Sequence, residues 1–352
     1  ASMAPLPAQA RDAMTTLLLE QSESIYLNMN RWLANIAQTR KLAAKITGAK
    51  AEEIAFIRNT SDGVSIVASG IRWKKGDEII INDLEFPSNV YPWLNLERLG
   101  VKIVKVESKD GIVSPSMLIK HVTPKTKLLA ISSVQFSTGY RVDLATLGQM
   151  ARDQDFLFFV DAIQSLGVLP MDVKEFGIDF LSCGGHKWLC APEGIGIFFC
   201  DESRLDLLDL TRLGWNSVEN NLNFSNIDFT IKKTAGRFEE GTTNLVGLYG
   251  LQASLELLLE KGIERNEEHV LNLNEHLRHR LAGMGYKILS PQDEKRRSGI
   301  VIFSTADPSQ NEMLVKKLAN EKVLVIERGG GVRVSPHFFN TMEDIDRLLS
   351  LL

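Results

Sequence analysis

Through its first two-thirds the chain alternates short apolar, β-branched or aromatic runs with longer amphipathic stretches, and few folds satisfy that pattern. The strand-like runs are 53–58, 78–82, 102–106, 127–133, 156–160, 179–183 and 195–200. Helical patterns at 62–70, 89–99, 116–121 and 144–153 lie between them. Strands separated by helices need crossover connections, which give a largely parallel sheet covered on both faces. The run Phe156-Leu157-Phe158-Phe159-Val160 has no polar alternation, as a central strand buried on both faces requires.

The pattern changes near residue 240. A long helical stretch at 245–284 carries Leu251, Leu255, Leu259 and Ile263 at helical spacing. Strand-like 299–303, helix-like 311–320, the short runs 323–326 and 332–334 and a terminal helix from Met342 follow. The expected class is α/β: a large domain with a mainly parallel seven-stranded sheet sandwiched by helices, plus a smaller α+β C-terminal domain. The expected boundaries are an N-terminal segment at 1–20 packing on the small domain, the large domain at 21–240 and the small domain at 241–352. A length of 352 residues accommodates about two domains. The chain opens at Ala1 without an initiator Met, which leaves the natural start open.

Charge and cysteine content narrow the function classes. With 40 Lys and Arg against 44 Asp and Glu, the net charge of −4 leaves no broad basic footprint for nucleic acid. No apolar run nears the ~20 residues that cross a bilayer, so no membrane partner is expected. Cys183, Cys190 and Cys200 lie in or beside apolar runs without metal-type spacing, and read as reduced thiols of a cytoplasmic protein. His276 and His279 stand three apart, but no recognised zinc motif surrounds them, and no metal site is expected.

The residues with chemical potential fall just beyond the carboxyl ends of the strands, where open α/β sheets bind ligands. Thr60-Ser61-Asp62-Gly63 opens a helix and offers small polar groups and free N–H groups to a phosphate, or serves as an ordinary N-cap. The dinucleotide and P-loop glycine fingerprints are both absent, which disfavours a nicotinamide enzyme. Asp161 follows five apolar residues and needs a cation there. Lys187, after Gly184, Gly185 and His186, either forms a buried ion pair with it or joins it in anchoring pyridoxal phosphate.

Phe159-Val160-Asp161-Ala162-Ile163-Gln164, followed by Gly184-Gly185-His186-Lys187-Trp188, resembles the signature of class V aminotransferases, pyridoxal-phosphate enzymes of fold type I. The resemblance runs from residues 1–7 to Arg333-Val334-Ser335-Pro336-His337. It implies that Lys187 is the Schiff-base lysine, that Asp161 pairs with the ring nitrogen and that Gln164 bonds near the ring oxygen. It also implies that His186, Thr60 and Ser61 reach the phosphate, that Phe86 stacks on the ring where many relatives have His, and that Arg333 clamps the substrate carboxylate. Thr242 would reach the phosphate of a neighbouring subunit, making a homodimer. Arg141 and Trp215 are further candidates for the substrate pocket.

Three departures from the family pattern bear on the reaction. Gly184 stands where many desulfurases have Ser, so a phosphate contact is lost or falls to Ser182. Gln135-Phe136 occupies a stretch that often carries Asn. The loop 327–332 before Arg333 has no Cys, whereas persulfide-carrying desulfurases hold one there. An amino acid or small amine as substrate and a class V aminotransferase-like activity are therefore expected. A lyase or epimerase of the selenocysteine lyase or isopenicillin N epimerase type is the alternative, and persulfide-forming cysteine desulfuration is less favoured.

Overall fold

The computed structural model describes residues 3–23 and 27–352. Residues 1–2, where the resemblance begins, and 24–26, within the expected large domain, lie outside them. In chain order the helices are α1 (Ala8–Glu23), α2 (Met29–Thr47), α3 (Thr60–Gly70), α4 (Tyr91–Leu94), α5 (Pro115–Leu118), α6 (Leu144–Asp153), α7 (Leu245–Lys261), α8 (Ile263–Gly283), α9 (Asn311–Asn320) and α10 (Met342–Ser350). The strands are β1 (Ile54–Ile57), β2 (Glu78–Asn82), β3 (Lys102–Val106), β4 (Thr126–Ser132), β5 (Leu157–Asp161), β6 (Phe180–Gly184), β7 (Gly196–Cys200), β8 (Lys287–Ile288), β9 (Val301–Ser304), β10 (Ile326–Arg328) and β11 (Gly331–Val334).

Seven strands pair in the order β1-β7-β6-β5-β4-β2-β3. The pairs from β3 across to β6 are parallel, and β7 runs against its neighbours β6 and β1. The protein is therefore α/β with a mainly parallel seven-stranded sheet, and each of these strands begins and ends within one residue of its sequence-read range. Strand β5 sits at the centre. Its Phe158 and Val160 enter the apolar layer on one face, and Phe159 enters the layer on the other. Burial on both sides explains the missing alternation, and each fully buried Phe contributes about 1.5–3 kcal/mol.

The long helical stretch is two helices, α7 and α8, divided at Gly262, whose φ of +86° suits glycine. Leu248, Leu251, Leu255 and Leu258 of α7 share the core beneath the large sheet, while α1 lies along α7. The second sheet, β10-β11-β9-β8, is antiparallel. Its Val301, Phe303, Val332 and Val334 pack with Leu273 and Leu277 of α8 and with Ile345 and Leu348 of α10. Trp188 joins the two units through a cluster with Val134, Val270, Ile300 and Ile302. Through Ile302 of β9, that cluster seats the small sheet against Val134 and Trp188, which follow β4 and β6.

Candidate active site

Three neighbouring strands end in register: Ser132 of β4 pairs with Asp161 of β5, and Asp161 pairs with Ser182 of β6. Just beyond lies a cavity of about 270 Å³ whose wall includes Thr60, Ser61, Phe86, Asp161, Gln164, His186, Lys187 and Arg333. Asn59, Ser88, Phe136, Ile163, Ile326 and Arg328 complete it. Most of the residues singled out in the sequence thus meet in one cleft.

Local structure explains each placement. Asn59 caps α3 by accepting from the Asp62 N–H (3.1 Å), which turns the first residues of that helix into the cleft. The helix is drawn against β6 because Gly63 has no side chain; a Cβ there would lie 2.3 Å from Ser182 Oγ. Thr60 Oγ1 accepts from the Gly184 N–H (3.0 Å), and Ser61 Oγ bonds Ser88 Oγ (2.8 Å). The Lys187 turn rests on Gly167, whose φ is +104° and whose Cβ would strike the Trp188 carbonyl at 2.4 Å. Gln164 Oε1 accepts from Trp188 Nε1 (3.2 Å), and the Ala4 N–H donates to the His186 carbonyl (3.1 Å).

Asp161 is 1% exposed and accepts the Ile163 N–H at Oδ1 (2.9 Å). Burial pushes its carboxyl up to about 7; the Ile163 bond and Lys187 oppose this and the Glu85 charge adds to it. The Lys187 ammonium is pushed down by burial, against the attraction of Asp161 and with help from Arg333. Its Nζ stands 5.6 Å from the centroid of the Phe86 ring. His186 is likewise lowered, by burial and then by Lys187. Arg333 is 4% exposed, donates from Nη1 to the Phe136 carbonyl (3.0 Å) and is pushed down to about 10 by burial and by Arg328. Its buried Nε has no partner among the described residues.

These features can be tested against pyridoxal phosphate. The cleft offers an amine inclined toward neutrality, a buried carboxyl needing a cation, a helix N-terminus and an aromatic wall. It also offers a guanidinium with a donor to spare. That donor set fits a planar aromatic carrying an aldehyde, a basic ring nitrogen and a phosphate, together with a substrate carboxylate.

Other residues singled out in the sequence lie outside this cleft. Ser182 is fully buried, and its Oγ donates to the Thr60 carbonyl (2.9 Å), so it supports α3 and faces no ligand. Arg141 leaves the site because Glu267 holds it in an ion pair. Trp215 opens a short 3-10 turn (Trp215–Ser217), 45% exposed and edge-on to Phe224. Thr242 borders a separate pocket with Arg58, Asp62 and Gly194. His276 bonds Asp346 (2.7 Å). All three cysteines are buried, none lines the cleft, and burial raises their thiols. The sequence reading gave no role to Glu85 or Arg328; only their positions, beside Phe86 and just before Arg333, signalled them.

The family model for aminotransferase class-V matches residues 4–348. A probable cysteine desulfurase of Methanothermobacter thermautotrophicus is 30% identical, with 99% of this chain and 91% of that protein covered. The apo cysteine desulfurase of Thermococcus onnurineus NA1 superposes with a TM-score of 0.88 at 26% identity, covering 99% of this chain and 92% of that one. The cystine C-S lyase C-DES, solved with its product cysteine persulfide, gives a TM-score of 0.92 at 24% identity over 99% and 94% of the two chains, a likeness of fold. The chain belongs to the class V aminotransferase family.

Proposed function

We propose that this protein binds pyridoxal phosphate at Lys187 and cleaves the C–S bond of a cysteine-type amino acid without storing sulfur on a thiol of its own. The observation that carries the reading is a cleft holding Lys187, Asp161 and Arg333 but no cysteine. The relatives named as cysteine desulfurases favour C–S cleavage; the missing loop Cys disfavours only the route that stores sulfur as a persulfide on the protein. The two agree if sulfur leaves as sulfide or passes to an external thiol. Transamination, first in rank on the sequence, is the second reading and has the family name behind it.

When bound, the cofactor supplies an electron sink that lets the substrate Cα lose a proton. The remaining roles belong to the chain. Lys187 Nζ holds the cofactor and then, as a neutral amine, moves the proton at Cα; burial lowers its proton affinity toward that task. Asp161 holds the ring nitrogen, and Gln164 faces the ring oxygen. His186, Thr60 and Ser61 hold the phosphate, Phe86 covers the ring and Arg333 orients the substrate carboxylate through its planar fork. Thr242, exposed outside this cleft, would complete the neighbouring site in a homodimer.

The test is a product panel with cysteine, cystine and alanine, scored for sulfide, pyruvate, alanine and transfer of the amino group. Sulfide or persulfide release that survives Cys183→Ala, Cys190→Ala and Cys200→Ala supports the proposal. Exclusive amino-group transfer, or loss of sulfur release in any one cysteine variant that remains folded, overturns it.

A further inference from the structure

Five donors converge on one buried carboxylate beside the cleft, that of Glu85. Its Oε1 accepts from Asn82 Nδ2 (2.7 Å), the Ser132 N–H (2.8 Å) and Gln135 Nε2 (2.8 Å). Its Oε2 accepts from Asn89 Nδ2 (2.8 Å) and Ser132 Oγ (2.5 Å). Every one of these residues is buried, Glu85 itself being 7% exposed. All five partners are placed as donors, an arrangement that suits a carboxylate. Neutral groups replace its hydration, and no ion pair to it occurs among the described residues.

The shell adjoins the cleft through the neighbours of its members, Phe86, Phe136 and Asp161. Asn82 ends β2, Ser132 ends β4, and Gln135 lies one residue before Phe136. Asn89 in turn accepts from Trp93 Nε1 (2.9 Å), whose fully buried ring meets Phe159 edge-on at 5.6 Å. Glu85 directly precedes Phe86, which meets Phe136 edge-on at 5.2 Å and lies beside Lys187. Ser132, which gives Glu85 two of its five bonds, is the in-register neighbour of Asp161.

We propose that Glu85 is a positioning residue of the cleft: as a buried anion on five donors it fixes Phe86 beside Lys187 and acts through β4 on Asp161. The groups facing Asp161 are Glu85 after β2, Lys187 after β6 and Cys183 on β6. The Glu85 charge discourages ionisation of Asp161 until a cation arrives beside it. The inference rests on pyridoxal phosphate being that ligand, through its protonated ring nitrogen.

The experiment is a titration of cofactor-free protein with pyridoxal phosphate, followed by visible absorbance between pH 5.5 and 8.5, with Tm recorded at each pH. Wild type should lose affinity on the acid side as Asp161 takes up its proton. Glu85→Gln removes the charge and should move that acid limb down by about one pH unit; the ionisations of pyridoxal phosphate are the same in both proteins. Glu53→Gln is the structural control, because Glu53 is also a fully buried carboxylate, bonded to Lys174 and to the N–H groups of Lys50 and Glu202. It should lower Tm and leave the limb in place. Glu85→Asp keeps the charge but shortens its reach to the five donors, so affinity should fall about tenfold at every pH with the limb unmoved; this variant carries the test if Glu85→Gln does not fold. A wild-type limb in Glu85→Gln, or a limb that moves equally in Glu53→Gln, overturns the role of Glu85. So does undiminished affinity in Glu85→Asp. Failure of wild type to bind at any pH overturns the proposed cofactor instead.

Discussion

Arg333 of the small sheet donates to the backbone carbonyl of Phe136, on the rim of the large one, at 3.0 Å. The two units thus share one wall of the cleft, and a guanidinium 4% exposed is held there with its Nε unpartnered among the described residues. A buried cation with a donor to spare is costly unless an anion is due. Arg333→Ala should therefore lower kcat/KM for an amino acid by about 100-fold or more, mostly through KM. Arg333→Lys should recover only a small part, since an ammonium lacks the planar fork. Steady-state kinetics check this, and a lysine variant with wild-type KM would refute it.

Among the described residues that line the cleft, Lys187 carries the one amine. Lys187→Ala should leave pyridoxal phosphate exchangeable by dialysis and abolish turnover, whereas the wild-type protein keeps its colour. Borohydride reduction followed by peptide mass analysis should place the label on Lys187 in wild type and nowhere in the variant. Label at another lysine would move the site.

Gly63 sets the distance between α3 and β6. A Cβ at this position would meet Ser182 Oγ at 2.3 Å and Ser182 Cβ at 2.8 Å. Gly63→Ala should lower Tm and weaken affinity for inorganic phosphate or pyridoxal phosphate together, because the helix N-terminus is displaced. Adding Ser182→Gly removes the clash and should restore much of both, a non-additivity that neighbouring residues produce. A double variant no better than the single one would show that the contact is not the cause.

The strands and the cleft were largely legible because apolar runs ending in a polar residue have one good solution in a parallel sheet. Phe158, Phe159 and Asp161 illustrate it: two rings buried on opposite faces, then a carboxyl at the edge. What escaped notice depended on partners distant in sequence. Nothing near Arg141 predicts that Glu267 withdraws it from the pocket, and nothing near Ser182 predicts that Thr60 takes its hydroxyl. The helical stretch from 245 looked continuous because its apolar spacing carries through Gly262, while the break lies in backbone conformation. Glu85 sat in plain view beside Phe86, but its donors come from two strand ends, a 3-10 turn and a loop.

Asp161 should make the cofactor-free protein less stable at high pH. In an unfolded chain an Asp titrates near ~3.9, whereas burial holds Asp161 at about 7 in the fold. Between those values the folded protein binds more protons than the unfolded one, so unfolding free energy falls as pH rises. The stability of the neutral carboxyl is thus complete below about pH 4 and is lost progressively toward pH 7. Asn at this position carries no charge and escapes that loss while keeping an oxygen for the Ile163 N–H. Without cofactor, Asp161→Asn should melt a few degrees above wild type at pH 8, and the gap should close near pH 4. With pyridoxal phosphate added the order should reverse, because only the carboxylate rewards a protonated ring nitrogen. Thermal melts at the two pH values, with and without cofactor, read both effects. A variant less stable than wild type at pH 8 without cofactor would mean that Asp161 is ionised and satisfied in the empty cleft, contrary to its burial.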